Sequence, residues 1–344
     1  MSRYQQGQIG GTDLAIDTLG FGCASLGNLY HAVSDQEASD ILTTAWDNGF
    51  RYFDTAPHYG QGLSERRVGD ALRSPTNNDY ILSTKVGRLL KPAGYAAERH
   101  GFVSSMPFDI VYDYSYDGVM RSFEDSLQRL GLDRIDILYM HDLGAITHGD
   151  DNERLFPIAM DGGYRAMDEL RRDGRVSAIG LGVNEYEVCE GALEHGDWDC
   201  FLLAGRYTLL EQKALDTFLP KCVERNCSII IGGAYNSGIL ATGVSGKGPW
   251  HYDYGPAPED VVRKVAAIES LCAEFNIPLA AAALQFPLAH PAVASVIPGI
   301  GKVSRIDQTL NLFAIEIPDD FWSALLEREL IRADAPTPAS KPGE

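Results

Sequence analysis

The sequence predicts an α/β protein folded as a closed (β/α)8 TIM barrel. Short apolar runs alternate with longer amphipathic stretches along the chain, the rhythm of a parallel sheet joined by crossover helices. The β-then-α pair occurs eight times in order, the number that closes such a barrel. The three longest connections, Val86–Ser115, His141–Gly163 and Tyr235–Pro258, all follow strands, so they gather on the face where barrels build their sites. Pattern alone leaves a doubly wound open sheet as the alternative.

Each element has a local reason. Gln5–Ile16, with a Gly10-Gly11 turn, reads as an N-terminal hairpin plugging the barrel floor. Leu19–Gly22 is the first strand, and Asp35–Asn48 a helix capped by Ser34 or Asp35, with Gly49 past its end. Tyr52–Asp54 is a strand and Ser64–Leu72 a helix with only a weak cap. Tyr80–Lys85 is a strand, and Tyr116–Leu130 a helix closed by Gly131. Ile135–Met140 precedes the helix Tyr164–Asp173, and Ala178–Val183 precedes Tyr186–Glu194. Cys200–Leu203 precedes Ala214–Arg225. Ser228–Gly232 is followed by helices near Glu259–Phe275 and Leu279–Ala289. Val293–Ile297 and the helix Ser304–Phe313 complete the series. One domain is expected over 1–332, with a loose tail rich in Pro, Ala and Asp over 333–344.

Composition narrows the partners. The 344 residues are 45% hydrophobic, enough for a sizeable core, and carry a net charge of −19. An acidic chain lacks the basic face that nucleic acid requires, and anionic membranes are disfavoured for the same reason. One local basic pocket still suffices for an anionic cofactor. Cys23, Cys189, Cys200, Cys222, Cys227 and Cys272 form no CxxC and have no His pair at metal spacing nearby, so neither disulfide, zinc nor other metal is expected. Without an apolar leader or a long apolar run, a soluble, cytoplasmic protein is expected. Oligomeric state is not legible.

Four polar groups fall at or just past consecutive strand ends. Asp54 ends Arg51-Tyr52-Phe53-Asp54, Tyr59 follows in the next turn, Lys85 ends Ile81-Leu82-Ser83-Thr84-Lys85, and His141 ends Ile137-Leu138-Tyr139-Met140-His141. Taken singly, each has an ordinary structural reading. Parallel strands would bring all four to one rim. A tyrosine hydroxyl has a pKa of about 10, too high for ready proton exchange at neutral pH. A nearby ammonium favours the phenolate, Asp54 would hold Lys85, and His141 would bond the substrate oxygen or assist proton transfer. Such a set fits hydride transfer at a carbonyl or alcohol, in which a nicotinamide carries the hydride.

These residues resemble the aldo-keto reductase family. The resemblance runs from Leu19 to about Phe313 and rests on Gly20-Phe21-Gly22, the run Asn48–Ala56 with Tyr59-Gly60, Ser64-Glu65, Ser83–Gly87 and His141-Asp142. It implies an NAD(P)-dependent oxidoreductase with Asp54, Tyr59, Lys85 and His141 as catalytic tetrad and Tyr59 as acid/base. It also implies a cofactor segment from Ser295 to Gln308. Pro298, the backbone of Gly299 and Gly301, and a helix starting near Ser304 would suit a phosphate; Lys302, Arg305 and Gln308 lie beside it. Lys302 and Arg305 either approach the 2′-phosphate of NADP or are solvated, so NADP and NAD both stay open. The family's Gln near strand six is absent from Leu203–Thr208, and a usual Ser-Asn pair reads Val183-Asn184 here. Asn184 is the candidate for the carboxamide. Tyr235 either stacks on nicotinamide or is a core aromatic.

Within the family the chain is most similar to a bacterial branch that oxidises sugars, through Leu26–Tyr30, Phe201–Gln212 and Asn236–Ala241. That resemblance implies oxidation of an aldose of the L-fucose, L-galactose or D-arabinose type at C1 to the lactone. Asn28, His58 and Arg206 are candidate hydroxyl partners, with Tyr30 and Trp250 as stacking surfaces. The same groups suit a pyridine ring, as in pyridoxal oxidation. They also suit a bulky ketone or aldehyde reduced by NADPH. A non-enzymatic nicotinamide-binding subunit is a further alternative, against which the complete tetrad argues.

Overall fold

The structure, a computed structural model, describes residues 5–73 and 78–338. Eight parallel strands lie in chain order around one sheet: β1 (Phe21–Gly22), β2 (Tyr52–Asp54), β3 (Ile81–Val86), β4 (Ile137–His141), β5 (Ala178–Val183), β6 (Cys200–Ala204), β7 (Ser228–Gly232) and β8 (Val293–Ile297). Parallel bridges Leu19–Val296 and Gly22–Gly299 join the two ends. The open-sheet alternative is thereby excluded, and the expected barrel is present. At this seam a Cβ on Gly20 would stand 2.5 Å from the Tyr52 ring, so glycine is what lets β1 close on its neighbours.

The floor is plugged as the sequence predicts. Gln6–Gln8 and Ala15–Asp17 pair as an antiparallel hairpin. Its Ile9 and Ile16 are fully buried beneath an interior layer that includes Tyr52, Ile137, Tyr139, Cys200, Leu202 and Ile230. The outer layer is helical. Helix Asp35–Asp47 starts on Ser34, not Asp35: the Ser34 hydroxyl accepts from Glu37 N at 3.2 Å, and Ser34 N donates to the Glu37 carboxylate at 2.8 Å. Tyr116–Leu130 is capped by Ser115 and closed by Gly131 in the left-handed region.

Several boundaries depart from expectation for identifiable reasons. The second helix spans Leu63–Leu72 without a Ser64 cap, because the Ser64 hydroxyl is buried against Thr55 Oγ1 and Cys23 O, each at 2.8 Å. The helix expected over Ala214–Arg225 splits into a turn, Lys213–Leu215, and Phe218–Glu224; Pro220 has no N–H to offer the carbonyl four residues back. Pro287 likewise converts the end of Leu279–Ala289 to a tighter turn after Gln285. The connection after β4 is largely helical, Asn152–Ile158 running through a wide turn at Ala159–Gly163 into Tyr164–Arg172. In sequence this connection, His141–Gly163, reads as a long loop. An unforeseen helix, Asp319–Glu327, packs Phe321 against Phe275 at 5.7 Å.

Of the segment expected to be loose, 333–344, Ala335 is buried and Asp334 pairs with Arg332, while 339–344 lie outside the described residues. Among the described residues no single helix is long and apolar enough to cross a membrane, and no cluster of three His, Cys, Asp or Glu is arranged for a metal. The six cysteines are buried and free.

Candidate active site

The strand ends converge as the barrel dictates. Register sets Asp54 of β2 beside Ser83 of β3, and Lys85 of β3 beside Tyr139 of β4. Lys85 is 1% exposed and Asp54 2%, so neither charge is tolerable alone. Lys85 Nζ donates to Asp54 Oδ2 at 2.7 Å, Asp54 Oδ1 at 3.0 Å and Thr55 O at 2.8 Å, and Ser83 Oγ donates to Asp54 Oδ1 at 2.7 Å. A side chain on Gly182 of β5 would stand 3.3 Å from Lys85 Cε; glycine there leaves the lysine its channel.

Tyr59 is placed by the turn after β2. Gly60 has φ +65 and its Cβ position falls 2.4 Å from Gly27 O, so only glycine permits the backbone approach that fixes this turn. The Lys85 ammonium lies 4.8 Å from the Tyr59 ring centre, and the His141 ring stands edge-on at 6.0 Å. The four groups therefore meet at the mouth of the barrel.

The electrostatics differ from the sequence expectation. Withdrawal from water pushes the Tyr59 phenol well above its ordinary value; Asp54 and Asp142 add to this and Arg88 opposes it. The Lys85 ammonium, expected from sequence to favour the phenolate, does not offset this burial. Burial pushes Asp54 up against the pull of Lys85. Burial, then Arg88, Lys85 and His58, hold His141 well below the usual imidazole range, and burial chiefly takes His58 down to about 2. Both imidazoles are thus neutral hydrogen-bonding groups.

A second buried pair adjoins this set. Arg88, 3% exposed, pairs with Asp142, which lies 3.4 Å from His141 Nε2 and accepts from Asn184 Nδ2 at 3.3 Å. Asp142 was named in sequence only as part of the His141-Asp142 match; Arg88, three residues past Lys85 within the post-strand loop, was not singled out. Its only sequence signal is a cation beside the lysine motif. Tyr254, at the tip of the hairpin His251–Tyr252/Gly255–Pro256, donates its hydroxyl to Asn184 Oδ1 at 3.2 Å. Arg206 donates to Asn184 O at 2.5 Å and pairs with Asp253 at 2.9 Å.

The other sequence candidates divide by position. His58 stands 5.9 Å from His141, ring to ring. Asn28 is buried, its side-chain oxygen accepting from Val33 N at 3.0 Å and Arg67 Nη1 at 2.9 Å. Tyr30 is exposed, and Trp250 packs partly buried against the core. Gly299, just past the end of β8, pairs with Gly22, itself the register partner of Asp54, and follows buried Pro298. Gly301 lies against Ser25. Helix Val303–Phe313 starts on Lys302 with no side chain bonded to its first turn. Lys302, Arg305 and Gln308 are exposed, and the Arg305 charge acts on the Tyr235 phenol. Open backbone N–H groups and two cations suit an anionic cofactor. The buried, unpartnered His141 Nδ1 leaves an imidazole nitrogen for a polar ligand.

Comparison with known proteins agrees with this geometry. The Aldo/keto reductase family model matches residues 18–328. The chain is 44% identical to a pyridoxal 4-dehydrogenase of Microbacterium luteolum, over 94% of this chain and 97% of that one. It is 39% identical to a D-threo-aldose 1-dehydrogenase of a Pseudomonas species, over 94% and 96%. The holo form of an aldo-keto reductase from Bacillus halodurans superposes with a TM-score of 0.71 at 25% identity, covering 97% of this chain and 98% of that one.

Proposed function

The chain belongs to the aldo/keto reductase family, and from that premise we propose that it oxidises the ring hydroxyl of a cyclic hemiacetal to a lactone. An aldose closes to such a ring with its hydroxyl on C1. Pyridoxal closes in the same way through its neighbouring hydroxymethyl group. One chemistry thus unites the activities named for the relatives at 44% and 39% identity.

The observation that carries the proposal is the meeting of Tyr59, Lys85, Asp54 and His141 at one rim. Tyr59, once deprotonated to the phenolate, takes the hydroxyl proton and becomes the phenol. Lys85 is fixed by Asp54 beside the phenol, 4.8 Å from the ring centre. Neutral His141 hydrogen-bonds the reacting oxygen and orients it. The oxidised nicotinamide, when bound, supplies the hydride acceptor. Pro298, Gly299, Gly301, Lys302, Arg305 and Gln308 would hold its phosphate portion, with Asn184 and Tyr235 at the ring. Lys302 and Arg305 favour NADP over NAD. His58, beside His141, and Arg206, bonded to Asn184 O, would serve as substrate contacts.

The test is an assay of NAD+ and NADP+ reduction with L-fucose, L-galactose, D-arabinose, pyridoxal and bulky secondary alcohols, with mass analysis of products. Lactone formed from a hemiacetal supports the reading. Turnover confined to bulky alcohols or ketones would replace it with the reductase reading.

A further inference from the structure

Each such oxidation releases one proton, which passes from the substrate hydroxyl to Tyr59 and must reach solvent before the next turnover. Three imidazoles gather beside that tyrosine: the His141 and His58 rings both flank it, His58 at 6.4 Å, and His100 lies beyond His58. His141 lies 6.0 Å from the Tyr59 ring, His58 lies 5.9 Å from His141, and His100 lies 6.0 Å from His58, all centre to centre. These separations leave room for one bridging water between neighbouring rings. His141 Nδ1 and His58 Nδ1 are both buried with no hydrogen-bond partner, an expensive condition for polar atoms unless something fills it.

The outer end is open. His100 Nε2 lies 2.8 Å from Asp109 Oδ1, and both side chains are nearly half exposed. His100 occupies the two-residue turn between Glu98–Arg99 and Phe102–Val103. Its φ of +53 and the +81 of Gly101 are the paired left-handed values of a tight hairpin. Phe102, edge-on to His58 at 5.1 Å, walls it on one side.

We propose that His58 and His100 form a proton relay that carries the proton released by Tyr59 to solvent at Asp109, leaving His141 on the substrate oxygen. The inference rests on the oxidoreductase reading above. A neutral imidazole has one donor and one acceptor nitrogen. Each ring therefore takes a proton on one nitrogen and gives one up from the other, and a ring flip restores the starting tautomer. One proton leaves the substrate hydroxyl and one emerges at His100, while the hydride goes to the nicotinamide.

The charges around these rings keep His58 and His141 neutral. His58 faces Lys85, Arg88 and His100; His141 faces Arg88, Lys85 and His58, with Asp142 at 3.4 Å. His100 faces Asp109, which also lies 3.9 Å from Arg99.

The test is stopped-flow oxidation of L-fucose and pyridoxal in weak buffer, with reduced nicotinamide and a pH indicator followed in the same trace. Wild type, His58→Phe and the surface variant His100→Phe are compared. In wild type the proton appears with the hydride. In both variants it lags the hydride by at least about tenfold, and added imidazole shortens the lag. Hydride transfer with no lag in either variant overturns the relay alone. Absence of hydride transfer in wild type overturns the oxidoreductase reading, and the relay with it.

Discussion

Lys85 Nζ lies 2.7 Å from Asp54 Oδ2, with both side chains at or below 3% exposure. The pair ties the end of β3 to the end of β2 and sets a buried cation 4.8 Å from the Tyr59 ring centre. Burying the pair is costly, and losing one partner costs more, since the survivor has no compensation.

Asp54→Asn should therefore destabilise the fold by about 3–5 kcal/mol as well as lower turnover. Chemical denaturation measures the first and steady-state oxidation the second. Asp54→Asn/Lys85→Met should recover part of the stability and none of the activity. A double variant as unstable as the single one would show that the ion pair is not the source of the loss.

Arg88 is the cation that offsets burial at the Tyr59 phenol. Its removal favours the neutral phenol and raises that pKa further. Oxidation needs the phenolate, so its rate rises as pH passes upward through this value. Arg88→Gln should shift the rise to higher pH without reversing it. The kcat/KM profile against pH is the measurement. Arg88→Gln also leaves Asp142 uncompensated; Asp142→Asn in the same chain should restore thermal stability and bring the rise back toward lower pH, because Asp142 raises the same phenol.

Lys302 and Arg305 are exposed beside the glycine-containing segment that follows β8. If they meet the 2′-phosphate, replacing both with Ala should weaken NADP+ by about 10–100-fold, the loss of charge-assisted hydrogen bonds, and leave NAD+ nearly unchanged. Fluorescence titration of each cofactor reads the ratio. Equal weakening of both would place the two cations elsewhere on the cofactor.

Much of the site was legible because its geometry is local to strand ends. Asp54, Lys85 and His141 each close or nearly close an apolar run, and parallel register does the rest. The barrel was legible for a related reason: the alternation is written into every segment. What escaped depends on the paths of long loops. Nothing near His100 in sequence says that a hairpin tip returns to His58, or that Arg88 folds onto Asp142. Asn28 has a side chain suited to sugar hydroxyls, yet its oxygen is engaged by Val33 and Arg67. The connection His141–Gly163 reads as a long loop in sequence, yet Asn152–Ile158 and Ala159–Gly163 are helical.

The central claim is that the Tyr59 hydroxyl exchanges the substrate proton, and the kcat of Tyr59→Phe tests it most directly. With cofactor affinity and melting temperature unchanged from wild type, the variant should lose at least about 10²–10⁴-fold in kcat for L-fucose or pyridoxal oxidation. A Tyr59→Phe enzyme that keeps full activity would contradict the account.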